Sequence, residues 1–304
     1  MTFPYSGDLE GERVVQLAGE VFRSSKIFAS SDRHLIFVCG GDSRKVNLRS
    51  QFLDFAKKEL PHLRLILAED AYVDLMGSSK PDFVNLVVFE DLVADLSDCV
   101  ILFPESFGSA AELGFFVGKE KITKKLLAAN PIAYQGDDSF LNLGPIALVN
   151  SSSNFKPAIV IEDKTPVDFS AIGKRLARFA GARRRMSFPH KEFDAYSPLE
   201  RFFAIFELVR HLRIVHVATL PYVIQKIFAK SPEKGEFKHL ISILIAAKYV
   251  ERTGDDLRFL VASNAPPFLE IPQSNELLIA GNEYLLEHHK ELFNQTFEAI
   301  ARNP

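Results

Sequence analysis

Between residues 35 and 161 short apolar runs alternate with amphipathic stretches, and this alternation restricts the fold more than any other feature of the chain. Residues 35–39, 63–67, 99–103, 125–129 and 158–161 read as strands, and residues 45–59, 85–96 and 109–117 as helices. Strands that alternate with helices pack into a parallel sheet, so the expected fold class is α/β, a doubly wound parallel sheet. Its most acidic connections, over residues 69–74 and 134–138, read as polar loops. Around residues 162–169 the alternation gives way to charged residues and a proline. Beyond that break the signals are mainly helical, over residues 171–180, 198–215, 221–229 and 237–247. A short hairpin, 249–251 and 257–261, and a last helix over 282–301 complete the pattern. Helices followed by a two-stranded hairpin resemble a winged helix-turn-helix. The expected organisation is a sheet domain over residues 1–165 and a helical domain over residues 166–304, each long enough to bury its own core.

The candidate chemistry lies at one strand-to-helix corner, residues 101–114. Pro104 stops the strand, and Gly108-Ser109 reads as the opening of a helix that carries Glu112. A corner at the carboxyl end of a parallel strand is where open α/β sheets place their ligands. Glycosyl cleavage needs a carboxylate beside the anomeric carbon, to stabilise or trap the positive charge that develops there. Glu112 is the candidate for that role. Glu105 is the candidate second acid, placed to carry a proton or position a sugar hydroxyl, and two like charges raise one of the two pKa values. The rival reading is structural: Ser109-Ala110-Ala111-Glu112 also fits a capping box.

Gly40-Gly41-Asp42 follows the first strand and precedes a helix, so its backbone donors are candidates for a phosphate or ribose and Asp42 for a hydroxyl. Glu90 and Asp98 are candidates for further carboxylates in the same cleft, with solvation of a helix end as the alternative for Asp98. Ser106, Gly108 and Ser109 complete the expected substrate-binding set, Gly108 because it permits close approach. Neither a full dinucleotide fingerprint nor a Walker lysine is present, which argues against a dehydrogenase and an NTPase.

A formal net charge of −3 gives the whole molecule no strong preference for nucleic acid or membrane. The basic stretch Lys174, Arg175, Arg178, Arg183, Arg184, Arg185 and Lys191 is the exception, read either as a seat for nucleic-acid phosphates or as a solvated helix face. Arg252 and Arg258 of the hairpin would add backbone contacts, whereas the 237–247 helix offers only Lys238, His239 and Ser242 for reading bases. Cys39 and Cys99 sit in apolar runs without paired spacing, and the eight histidines lack ligand spacing, so no metal and no cofactor are expected. No run approaches the roughly 18 apolar residues of a membrane span, and residues 1–13 hold no apolar signal core. The expected location is the cytoplasm.

Phe37-Val38-Cys39-Gly40-Gly41-Asp42 and residues 101–114, supported by Ser139-Phe140-Leu141-Asn142-Leu143-Gly144-Pro145, resemble retron-associated antiphage effectors. Those proteins join a nucleoside deoxyribosyltransferase-like domain to a helical winged-helix-like domain. The resemblance implies a toxic N-glycosidase with Glu112 as its catalytic carboxylate and NAD or a related nucleotide as substrate, not cofactor. It also implies restraint by a complex of reverse transcriptase with its RNA-linked DNA (msDNA). A homo-oligomer is compatible with it, and a membrane partner is not expected. Deoxyribosyltransferases carry an aspartate where this chain has Ser106, and that departure favours hydrolysis over base exchange. The alternatives are a base-exchange enzyme of metabolism and a non-catalytic, nucleotide-sensing DNA-binding regulator.

Overall fold

The computed structural model describes the chain except residues 1–2, 24–25, 31–34, 43, 78–84, 137, 163, 181–185 and 303–304. At residues 75–77, 179–180 and 297–302 it describes the backbone alone. The chain forms two compact units: residues 34–70 with 81–183, and residues 1–33 with 71–80 and 184–304. That division is not a single cut at residue 165. The helix Ser170–Ala180 belongs to the sheet unit because its Ile172 and Leu176 pack into the core over the sheet, beside Phe169 and Phe52.

In the first unit five parallel strands run in the order Arg64–Ile66, Leu35–Cys39, Cys99–Leu102, Leu126–Pro131 and Ile159–Ile161. All residues of Leu35–Cys39 and Cys99–Leu102 are buried, as strands covered on both faces require. The chain leaves Leu35–Cys39 for the edge strand Arg64–Ile66, then returns past it to Cys99–Leu102. The carboxyl ends of Leu35–Cys39 and Cys99–Leu102 therefore flank the point where strand order reverses, the place where open α/β sheets form a crevice. Gly40 and Gly41 leave one strand there, and Phe103 to Ser106 leave the other. One core closes over the sheet from the helix Leu48–Glu59, where the rings of Phe52, Phe103 and Phe169 meet at centroid distances of 5.5, 5.6 and 6.2 Å.

The second unit runs through the helix Pro198–Leu212, the strand Ile214–His216, the helices Leu220–Phe228 and Lys234–Ala246, and the strands Val250–Thr253 and Phe259–Ala262. The strands Ile214–His216, Phe259–Ala262 and Val250–Thr253 pair antiparallel with Phe259–Ala262 in the middle, and a second antiparallel sheet sets Phe28–Ala29 between Leu269–Glu270 and Met186–Ser187. The helix expected over residues 198–215 stops at Leu212 because Arg213 takes a positive φ of 69°, and Ile214 starts a strand. An unexpected helix, Leu9–Phe22, is capped by Asp8 and buries Val14, Val15, Ala18, Val21 and Phe22 against the helices Leu220–Phe228 and Ser274–His288. The acidic loop expected over 69–74 is instead part of the helix Ala68–Gly77, and the expected last helix breaks at His289 into Ser274–His288 and Lys290–Arg302. Among the described residues no helix is long and apolar enough to cross a membrane.

Candidate active site

The corner helix starts at Phe107, earlier than the sequence suggests, because Ser106 is extended and caps it. Ser109 N donates to Ser106 Oγ at 3.1 Å, and Ser106 N donates to Ser109 Oγ at 2.9 Å. This capping box stands three residues ahead of the Ser109 to Glu112 box that spacing allows, and it satisfies the helix start without Glu112. Ser106 and Ser109 are thereby engaged in the helix start. Glu112 lies in the second turn, half-buried, and its Oε2 is buried without a hydrogen-bond partner among the described residues. Burial pushes the Glu112 carboxyl up to about 7; the Glu90 and Glu69 carboxylates push the same way and the Arg49 guanidinium opposes them.

Arg49, Glu69, Glu90 and Glu112 all act electrostatically on Cys39, the last residue of its strand, whose thiol is pushed up chiefly by burial. Arg49 is 6% exposed. Its Nη2 donates to Glu69 Oε1 at 2.7 Å and its Nη1 to Glu69 Oε2 at 3.2 Å, while its Nε is buried without a partner among the described residues. Burial and then Glu69 raise the Glu90 carboxyl above its ordinary value. Glu90 thus acts electrostatically on Glu112, as do Arg49 and Glu69, which were absent from the expected set. One signal was available for Arg49: with Phe52 and Ala56 it occupies the buried stripe of an amphipathic helix, where a cation is out of place unless partnered.

Glu105 has a different task from the one its sequence position suggests. Its Oε1 accepts from Gly41 N at 3.0 Å and Arg49 N at 3.2 Å, and its Oε2 from Leu48 N at 2.7 Å. With both oxygens held by backbone donors it is a positioning residue that ties the loop after the first strand, and the helix carrying Arg49, to the Glu112 corner. Among the Gly40-Gly41-Asp42 amides expected to hold a phosphate, that of Gly41 is engaged by Glu105 in this way. The glycines permit this close packing: a Cβ on Gly40 would lie 2.8 Å from Arg49 Cβ, and one on Gly41 2.9 Å from Asn47 Nδ2. Gly40→Ala is expected to cost about 1 to 3 kcal/mol by overpacking. Urea unfolding measures it, and an unchanged midpoint would show that Arg49 shifts freely.

Asp42 is held by its own turn, accepting from Arg44 N at 3.0 Å and Arg44 Nε at 2.9 Å, and these bonds lower its carboxyl to about 2. Asp98 is not in the crevice: its Oδ2 accepts from Leu35 N at 2.9 Å, at the amino ends of the strands and the opposite edge from Glu112. Gly108 is exposed, with the nearest atom to an added Cβ at 3.8 Å, so its surface is open. A cavity of about 320 Å³ opens beside Glu105, with Gln51, Ile132, Tyr134 and Ile161 among its walls; Glu112 is not part of its lining.

The basic residues divide. In the sheet unit Lys174 and Arg178 are exposed, whereas Arg175 Nη1 donates to the carbonyls of Phe155 and Pro157. Arg183, Arg184 and Arg185 lie outside the described residues. In the other unit Arg252 grips Asp74 through Nε and Nη2 at 2.6 and 3.1 Å, and Ser242 donates to the same carboxylate at 2.7 Å. Arg258 pairs with Asp256 at 3.2 Å and Lys191 with Glu200 at 3.1 Å.

Over 139 residues the chain is 31% identical to an Escherichia coli protein described as "Retron Ec86 putative ribosyltransferase/DNA-binding protein", covering 45% of this chain and 44% of that one. An E. coli protein of the same description for retron Ec73 is 26% identical over 148 residues, 44% of this chain and 47% of the relative. The chain thus spans less than half the length of these curated relatives. Residues 45–252 of the 304 match the family described as STM3845 retron effector protein, and the chain belongs to that family of retron effectors.

Proposed function

We propose that this effector is an N-glycosidase that hydrolyses the bond between base and sugar in NAD or a related nucleotide. Glu112 stabilises or traps the positive charge at the anomeric carbon. The carbon–nitrogen bond breaks with its electron pair leaving on the base, and water supplies the oxygen that replaces it while giving up a proton. One observation carries this reading: the Glu112 carboxyl takes no part in the helix cap, and its Oε2 is buried without a hydrogen-bond partner among the described residues, on the helix that follows the strand at the strand-order reversal. The relatives' description as ribosyltransferases supports glycosyl transfer as the reaction class. Ser106, serving as a helix cap where deoxyribosyltransferases carry an aspartate, supports water over a second base as acceptor.

The sheet unit is then the nucleoside deoxyribosyltransferase-like catalytic part. The order helix, strand, helix, helix, strand, strand in the other unit supports a winged-helix-like reading. In this scheme a reverse transcriptase with its msDNA restrains the toxin in the cytoplasm, and the exposed Lys174 and Arg178 are the cations first in line for its phosphates.

The test is chromatographic detection of free base after incubation with NAD and with ribo- and deoxyribonucleotides, alone and with the retron complex. No release under any of these conditions overturns the reading. Because the ionised carboxylate does the work and Glu112 titrates at about 7, base release is expected to rise roughly tenfold from pH 6 to pH 8. A rate that falls over this range would instead make Glu112 the proton donor.

A further inference from the structure

We infer that the cavity beside Glu105 binds the adenine ring of a free base or nucleoside, apart from the site of bond cleavage. Its volume of about 320 Å³ stands at the small end of ligand pockets and suits one ring system with or without its sugar rather than a whole dinucleotide. The cavity opens at the carboxyl edge of the sheet, between Pro131 and Ile132 after one strand, Ile161 at the end of the next, and Gln51 on the helix Leu48–Glu59. Ile161 packs into the core that this helix covers, together with Ile36 and Val38. Phe37, between those two, faces the other side of the sheet, where its ring meets that of Phe116, one turn beyond Glu112 on the corner helix, at 6.2 Å. The cavity and the Glu112 helix thus belong to opposite faces of the sheet, and Glu112 takes no part in the lining.

The walls specify the ligand by shape, by hydrogen bonding and by charge. Ile132 and Tyr134 are both 45% exposed on one short turn, and with Ile161 they give a planar ring an apolar seat and an aromatic face on which a base can stack. Gln51 donates one N–H to Asn47 O at 3.3 Å. Its carboxamide keeps a second N–H beside an acceptor oxygen, the pair that matches N7 and the N6 amino group of adenine. Charge and donors both disfavour a phosphate. Lys164 is paired with Glu162, so the Glu105 carboxylate leaves these walls net negative. The first amides of the helix Leu48–Glu59, which would otherwise attract an anion, already donate to Glu105 and Asn47.

The test is calorimetric binding of 9-methyladenine and 9-methylguanine to the full-length protein; neither probe has a glycosidic bond to cleave. The adenine probe is expected to bind roughly tenfold or more tightly than the guanine probe. Gln51→Leu should erase that preference, and Tyr134→Ala should weaken both probes roughly tenfold. Gln51→Glu, which keeps an acceptor and loses the donor, should also erase it and stands in if Gln51→Leu does not fold. In Glu112→Gln the adenine probe should bind as in the wild type, and in that variant adenosine serves as a second probe: tighter binding than 9-methyladenine assigns a nucleoside, equal binding the free base. Inorganic phosphate should not displace either. No binding of the adenine probe overturns the inference, as does binding that the Gln51 and Tyr134 variants leave unchanged. Loss of binding in Glu112→Gln would move the ligand to the cleavage site and overturn it too. Base release enters none of these measurements, so the glycosidase reading stands or falls separately.

Discussion

Glu112→Gln is expected to lower base release by about 10³-fold or more and, at the same time, to make the protein more stable at pH 8. The two effects have one origin. The folded protein lifts the Glu112 carboxyl from an ordinary 4.5 to about 7 by burying it near Glu90 and Glu69, so the native state favours the neutral form. Below the unfolded pKa both states are protonated and nothing is lost. As pH rises from 4.5 toward 7 the unfolded chain ionises first, and stability falls; above 7 the native state carries the full cost of a half-buried carboxylate. Glutamine is neutral throughout. The variant should gain about 1 to 3 kcal/mol at pH 8, nearer the lower figure because water reaches part of the side chain, and nothing at pH 4. Urea midpoints at the two pH values, beside chromatographic base release, test both halves. A variant that still releases base removes Glu112 from the chemistry, and one less stable at pH 8 makes its carboxylate a structural member. Loss of function with a gain in stability is the signature of a group kept for its reactivity.

Glu105→Ala should act in the opposite direction, costing about 2 to 4 kcal/mol. Its carboxylate accepts three backbone N–H groups, from Gly41, Leu48 and Arg49, and two of these begin the helix Leu48–Glu59, where a negative charge also complements the helix dipole. Removing the acceptor leaves donors unsatisfied in a partly buried place. Glu105→Gln keeps one oxygen but no charge, so it should fall between wild type and Ala. Activity is expected to fall with stability, because the loop and helix start that seat Arg49 lose their tie. Wild-type stability with no activity would contradict this assignment and return Glu105 to the chemistry as an acid in its own right.

The two glutamates show where sequence reading succeeds and where it stops. Five apolar runs predicted strands, and each is found within two residues of its expected bounds, because strands buried on both faces must be apolar throughout. The carboxyl-end corner and its Glu112 were legible for the same reason: parallel topology puts loops that follow strands at one edge. Spacing could not assign the cap. Ser106 with Ser109, and Ser109 with Glu112, both satisfy the local pattern, and the choice fell to the extended backbone of Ser106. Spacing also could not reveal that Glu105 reaches residues 41, 48 and 49, or that Arg49 meets Glu69, since those partners are distant in the chain. The helix Leu9–Phe22 escaped notice because its polar first turn hides an apolar stripe that begins at Val14.

By itself, then, the order of apolar and polar residues along this chain determined a parallel sheet and the edge at which its loops gather, since these follow from local periodicity and chain connectivity. Tertiary structure alone decided which carboxylate is tied down and which is left unpaired. Hydrogen-bond partners, burial and the resulting proton affinity depend on residues brought together from distant parts of the chain, and no local pattern contains them.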